Sequence, residues 1–301
     1  MYNEEKNVLP LYEKIKNELD KYQRSYEIIF INDGSTDGTE EVLRKLKKVD
    51  SSLRCILFQG NFKKSAAYSA GLKYARGNII VTMDGDLQDD PGEIGKFLDK
   101  IEEGYDYISG WKYKGKGNPY RAWPSKIFNY VVRKMTKLNL HDYNCPFKAF
   151  RRHVIEPDDI YGELYRFLPV LAKSKGYRIT EVKVENYPRI HGKSKYGLER
   201  FLRGFFDMLT ILFLTRYYQR PLHFFGTIGL ILFMLGSSVI LALYIQKFFY
   251  GVFIQNTPFL FGLALLGIIL GLQFFTTGLL SELMINLQRK QENHYLIKEI
   301  L

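Results

Sequence analysis

Along residues 2–20 the apolar positions Val8, Leu11, Tyr12, Ile15 and Leu19 recur at the spacing of one helix face. The pattern then changes to short apolar runs that end in polar turns. Ile28-Ile29-Phe30-Ile31, within 27–32, predicts a strand running into Asp33-Gly34-Ser35-Thr36-Asp37-Gly38, with a helix over 39–48. A strand over 54–58 and a helix over about 63–75 follow. The run Ile79-Ile80-Val81-Thr82-Met83 predicts a buried strand, bounded by Gly77-Asn78 and by Pro91-Gly92. A helix over 91–103 and a strand over 105–109 complete the series. Alternating strands and helices predict an α/β domain whose mainly parallel sheet is covered on both faces. Strand, Gly-rich turn and helix in succession place nucleotide chemistry at the carboxyl ends of such strands.

Beyond Gly110 the pattern is different. Residues 111–117 form a basic, glycine-containing loop that includes Lys112, and 121–137 reads as a basic helix. Residues 177–185 alternate like an edge strand, and 189–197 form a second basic loop. Over 198–218 a helix mixes Phe201, Phe205, Phe206 and Phe213 with Arg200, Arg203 and Arg216, the composition of a helix lying in a membrane interface. Two apolar stretches follow, about 222–245 and 258–283, each long enough to cross a bilayer, which takes about 20 helical residues. Gly226, Gly229, Gly236, Gly262, Gly267, Gly271 and Gly278 within them suit close helix packing in lipid. Arg216 and Arg220 precede the first stretch, Arg289 and Lys290 follow the second, and the loop between carries only Lys247. The positive-inside rule therefore puts both termini and the N-terminal domain in the cytoplasm of a cell membrane. The expected organisation is a catalytic domain over 1–197, an interfacial helix over 198–220, and a membrane domain over 221–301 that ends in a short cytosolic tail.

Composition changes this picture little. In 301 residues, 46% hydrophobic and 15% aromatic content excludes a disordered chain. A net charge of +11 fits an anionic membrane face or a phosphorylated substrate, and the apolar stretches favour these over nucleic acid. Residues 1–20 are charged throughout, unlike a signal peptide. Cys55 and Cys145 follow no metal or redox spacing and read as reduced thiols.

The chemistry concentrates where the 79–83 run meets Asp84-Gly85-Asp86-Leu87-Gln88. If the strand persists, Asp84 and Asp86 face the same side, and Gly85 between them admits a close neighbour. Paired carboxylates repel unless a cation lies between them, and oxygen-only donors select Mg2+ or Mn2+, ions that commonly bridge protein to nucleotide phosphates. The alternative for these residues alone is a polar turn after a strand.

Tyr2-Asn3-Glu4-Glu5, Asn32 to Thr39 and Asp84 to Gln88, in this order, resemble glycosyltransferase family 2 with its GT-A fold. Arg121 with Ser125-Lys126, Arg189, Ser194-Lys195-Tyr196-Gly197 and the two apolar stretches narrow the resemblance to polyprenyl-phosphate glycosyltransferases, the group of dolichyl-phosphate mannose synthase and undecaprenyl-phosphate glucosyltransferases. The resemblance implies an inverting transfer of sugar from a nucleotide-diphosphate sugar to undecaprenyl or dolichyl phosphate. It implies Mg2+ or Mn2+ on Asp84, Asp86 and Gln88, with Tyr2, Asn3, Glu4, Asp33 and Asp84 toward the nucleotide sugar and Arg189 and Lys195 toward its diphosphate. Lys112, Arg121 and Ser125 are implied as the grip on the acceptor phosphate, and a homo-oligomer stays open. Family members begin with an apolar strand before Tyr-Asn-Glu, so a strand upstream of Tyr2 is expected. Lys63 and Pro146 stand where the family usually has Gly. A polysaccharide synthase of the same superfamily would carry Gln-x-x-Arg-Trp, which neither Trp111 nor Trp123 fits. A non-catalytic nucleotide-sugar-binding module is the remaining alternative.

Overall fold

Helix α1 (Glu5–Leu19) buries Val8, Leu11, Tyr12 and Ile15, the face that the spacing marks. These residues pack with Ile28 and Phe30 of β1 (Ile28–Asn32), Leu43 of α2 (Thr39–Val49) and Leu53 of β2 (Leu53–Leu57). Strands β1 and β2 pair in parallel, as expected of a β-α-β unit. The computed structural model describes residues 1–113, 130, 132–134, 136–160, 164–185, 187, 210, 213, 217, 220–251 and 257–289. Contacts divide the chain into two units, Met1–Ile211 and Leu212–Leu301.

The first unit holds a second sheet, ordered β3 (Ile79–Thr82), β5 (Lys148–Arg151), β4 (Tyr107–Lys112), β6 (Ile179–Val184). Strand β4 runs parallel to β6, while β5 is antiparallel to both β3 and β4. The sheet is therefore mixed, where the sequence pattern pointed to a mainly parallel one. The cause is β5, a four-residue insertion between two strands that are close in sequence. The expected edge strand is β6, at the end of the order.

Successive residues of each strand face opposite sides. Ile108 and Ala149 pack with Ile94, Phe97 and Ile101 of α4 (Ile94–Glu102), and Phe97 lies 4.4 Å from Phe147. Their neighbours Tyr107 and Phe150, rings 5.5 Å apart, pack on the other face with Leu72 of α3 (Lys63–Tyr74) and Leu168 and Ala172 of α5 (Leu168–Ser174). Both faces are covered. Each fully buried aromatic contributes roughly 1.5–3 kcal/mol by burial, so Phe97→Ala is the single change that would open the α4 side.

Strand β3 ends at Thr82, two residues before Asp84, which corrects the expectation that the strand carries through the acidic cluster. Its partner β5 begins at Lys148, opposite Thr82, and Pro146 beyond it has no N–H to extend the ladder. The Thr82 hydroxyl instead donates to the Pro146 carbonyl at 2.9 Å, and residues 83–88 form a turn. Met1 lies along the end of β1, its nitrogen donating to the Ile31 carbonyl at 2.8 Å and its carbonyl accepting from Asp33 N at 2.9 Å. A Cβ on Gly85 would stand 3.0 Å from that of Met1, so the close neighbour that Gly85 admits is Met1.

The second unit contains α6 (Pro221–Tyr250) and α7 (Pro258–Arg289), both long and apolar enough to cross a membrane. They meet backbone to backbone. A Cβ on Gly229 would lie 2.6 Å from the Gly271 carbonyl, and one on Gly236 2.5 Å from that of Ala264. Gly262 faces open space, and Gly267 has only ordinary contacts. Glu282 of α7 accepts from Leu222 N at 3.2 Å, satisfying one of the free donors at the start of α6.

Candidate active site

Strands β3 and β4 point their carboxyl ends the same way as the start of antiparallel β5, and Met1, held at the end of β1, meets Gly85, so one edge gathers the residues after β1, the 83–90 turn, Lys112 and Lys148. Helix α3 starts there too. Its first turn is pinned by Asp33, whose carboxylate accepts from Phe62 N at 2.7 Å and Lys63 N at 3.1 Å. Gly34, at φ +67, has no room for a Cβ against Gly60, which keeps this turn closed on α3. Lys63 has φ 72, a left-handed conformation that favours glycine.

The charged groups of this edge form a line. Lys64 Nζ lies 2.5 Å from Asp84 Oδ1. The Asp84 amide points to Asp89 Oδ2 at 3.4 Å, and Lys112 Nζ stands 2.7 Å from Asp89 Oδ1. Burial works against the charge on Lys64, but the Asp84 carboxylate outweighs it and raises the ammonium above its ordinary value. Burial also opposes the charge on Asp84, and Lys64 prevails, holding the carboxyl below the usual range. For Asp89, fully enclosed, burial wins over Lys112 and the carboxyl is raised. Lys112 is raised because Asp89 overcomes the cost of burial. Behind this line Lys148 is 1% exposed and donates to the Tyr143 carbonyl at 3.2 Å. Burial lowers its ammonium to about 8.

Asp86 is 4% exposed and accepts from Gln88 N at 3.3 Å. Gln88 is tied to Tyr187: its carbonyl accepts from Tyr187 N at 3.0 Å, and its side-chain amide donates to the Tyr187 carbonyl at 3.4 Å. The turn that carries Asp84 and Asp86 is thus fastened to the segment two residues before Arg189. Among the described residues no three His, Cys, Asp or Glu side chains converge on a metal position. The fit to a divalent ion rests on two carboxylates and an amide oxygen, all hard donors, and on Lys64, whose ammonium already occupies a cation position on Asp84.

Asn3 and Glu4 serve the turn after β1. Asn3 N donates to Ser35 Oγ at 2.9 Å, Asn3 Oδ1 accepts from Thr36 N at 2.8 Å, and Glu4 N donates to Thr39 Oγ1 at 2.9 Å. Tyr2 is half-buried beside them. The structure therefore brings together Asp84, Asp86, Gln88 and Lys112 through the 83–90 turn, and Asn3 and Glu4 through the 33–39 turn. Arg121, Ser125, Arg189 and Lys195 lie outside the described residues, as does most of the expected helix over 198–218.

Lys64, Asp89 and Lys148 escaped the sequence reading. The signal for Lys148 was a lone cation inside the apolar run Cys145-Pro146-Phe147-Lys148-Ala149-Phe150. For Lys64 it was a basic residue in the first turn of a helix that follows a strand.

A GT-A-like α/β sheet with acids and lysines massed at one edge is the frame of a nucleotide-sugar-dependent glycosyltransferase. The chain belongs to glycosyl transferase family 2, whose sequence pattern matches residues 1–157. It is 36% identical to a dodecaprenyl-phosphate galacturonate synthase from Rhizobium johnstonii, over 100% of this chain and 90% of that one. It is 31% identical to an undecaprenyl-phosphate 4-deoxy-4-formamido-L-arabinose transferase from Aeromonas hydrophila subsp. hydrophila, over 94% and 85%. Among solved structures it resembles a mannosyltransferase from Pyrobaculum calidifontis in complex with GDP-mannose and Mn2+ (TM-score 0.53, 18% identity, 97% and 86% covered). It also resembles glucosyl-3-phosphoglycerate synthase from Mycobacterium tuberculosis in complex with Mn2+, UDP-glucose and phosphoglyceric acid (TM-score 0.50, 16% identity, 70% and 77% covered).

Proposed function

We propose that this glycosyltransferase moves a sugar from a nucleotide-diphosphate sugar to a polyprenyl phosphate at a membrane, with inversion at the anomeric carbon. The observation that carries the reading is the line of acids and lysines at the carboxyl edge, Lys64, Asp84, Asp89 and Lys112. Two membrane-length helices in the same chain and relatives named for polyprenyl-phosphate transfer support it.

A divalent ion held by Asp84, Asp86 and Gln88 would supply Lewis-acid neutralisation of the leaving diphosphate. Asn3, Glu4 and Asp33 shape the nucleoside end by fixing the 33–39 turn and the start of α3. Arg189 and Lys195 are assigned to the diphosphate and Lys112, Arg121 and Ser125 to the acceptor phosphate. That phosphate, with a second pKa near about 6, is anionic at neutral pH. Its oxygen attacks the anomeric carbon, the bond to the donor diphosphate breaks, and the electron pair leaves with the nucleoside diphosphate. No general base is needed. Arg216, Arg220, Arg289 and Lys290 at the outer ends of the two apolar stretches put the catalytic unit and both termini in the cytoplasm, with 198–220 as the interfacial helix.

The test is a panel of UDP- and GDP-sugars offered with undecaprenyl or dolichyl phosphate and Mg2+ or Mn2+, read by product mass. The expected product is polyprenyl phosphate plus one sugar, lost in EDTA. No transfer to either lipid from any donor overturns the reading, and a product that lengthens with time replaces it with a polysaccharide synthase.

A further inference from the structure

We propose that Lys64 is the resident counter-cation of Asp84, and that it makes divalent-metal binding depend on the nucleotide diphosphate. The inference rests on the metal reading above. Lys64 Nζ sits 2.5 Å from Asp84 Oδ1, in the space that an ion bound to that oxygen needs. Lys112 pairs with Asp89 at 2.7 Å, so Lys64 is the cation in direct contact with Asp84 among the described residues, with Lys112 and the Met1 ammonium acting on it from further off. Asp86 is 4% exposed, which leaves Asp84, 35% exposed at its side chain, as the open member of the pair. An incoming ion must therefore contend with Lys64.

Among the described residues, Lys64 and Lys112 each pair with one acid of the edge, Asp84 and Asp89. Two further positive charges beside Lys64 are opposed at short range and low dielectric. A nucleoside diphosphate carries negative charge that offsets the incoming ion and offers Lys64 a new partner. Lys64 is placed to change partners. It projects from the first turn of α3, which Asp33 holds at the edge, and its side chain is 26% exposed. The ring of Tyr165, 5.4 Å from the ammonium, gives it a second favourable surface during the exchange. Metal and nucleotide then enter as a coupled pair, each tightening the other by the same factor.

The experiment measures Mn2+ binding to the full chain in detergent, by the electron paramagnetic resonance of the free ion, with Mn2+ alone and then with UDP or GDP. Lys64→Met should bind Mn2+ alone about tenfold to a hundredfold more tightly than the unaltered chain, and the nucleotide should add correspondingly less. Lys64→Arg, which keeps the charge, should retain the dependence on nucleotide. Should Lys64→Met fail to fold, Lys64→Gln gives the same reading. Equal or weaker Mn2+ binding by the neutral variants, while the unaltered chain binds Mn2+ with nucleotide, overturns the role of Lys64 alone. If the unaltered chain binds no Mn2+ with either nucleotide, the metal reading falls and this inference with it.

Discussion

Helices α2 and α4 of the sheet unit and helices α6 and α7 of the second unit face opposite problems. The first two are amphipathic: Leu43 or Phe97 is buried, while solvent-facing side chains form pairs such as Arg44–Glu40 on α2 and Lys100–Glu103 at the end of α4. They exist because one face has a sheet to cover. The second two are apolar on all sides, and glycine lets them approach, as at Gly229 against Gly271. In the sheet unit charges cluster and neutralise one another at one edge. In the helix pair Glu282 serves the exposed end of α6. Where water surrounds a fold, burial of one face drives packing. Where lipid surrounds it, apolar surface gives no preference for a partner and close backbone contact decides.

The charged edge is the part of this comparison most sensitive to change. Asp86→Ala removes a buried carboxylate from the turn after β3 and should reduce turnover on the order of 100-fold or more, as loss of an electrostatic stabiliser does. Steady-state rates with saturating donor and lipid check it, and near-full activity would remove Asp86 from the site.

Lys148 tests the same edge through stability. Its ammonium is lowered by burial to about 8 from an ordinary 10.5. Below pH 8 it is protonated folded and unfolded, and the cost of burying the charge is present in full. Between pH 8 and 10.5 the unfolded chain binds the extra proton, so stability rises with pH. Relative to Lys148→Met, the unaltered protein should gain about 2–3 kcal/mol across that window. Urea unfolding of both at several pH values reads it, and a difference independent of pH refutes it.

The helix pair should respond to size instead of charge. Gly271→Leu forces a side chain against the Gly229 carbonyl and the Phe233 backbone and should destabilise the pair by about 1–3 kcal/mol. Gly262→Leu, in open space, should be nearly neutral. Equal thermal stability of the two variants in detergent would show that α6 and α7 do not meet at Gly271.

The smallest expected effect is a gain. Lys63→Gly relieves a left-handed conformation at the start of α3 and should stabilise by about 1 kcal/mol. Unfolding midpoints suffice, and a loss of stability would mean that the Lys63 side chain makes contacts that outweigh its strain.

The alternation of runs and turns determined most of the elements, because period-two and period-3.6 patterns are local properties of the chain. The family, the Asp84-Gly85-Asp86-Leu87-Gln88 cluster and the two apolar helices were legible for the same reason: each is a contiguous stretch whose chemistry does not depend on distant residues. Strand β5 was not, since Lys148 breaks its apolar pattern and its four residues gain a strand's hydrogen bonds only between β3 and β4. The end of β3 at Thr82 was not either, because it depends on where its antiparallel partner meets Pro146. The pairing of Lys64 with Asp84 and of Lys112 with Asp89 belongs to tertiary structure alone. Charges on separate elements choose partners only after the sheet has brought its carboxyl edge together and shielded them in part from water.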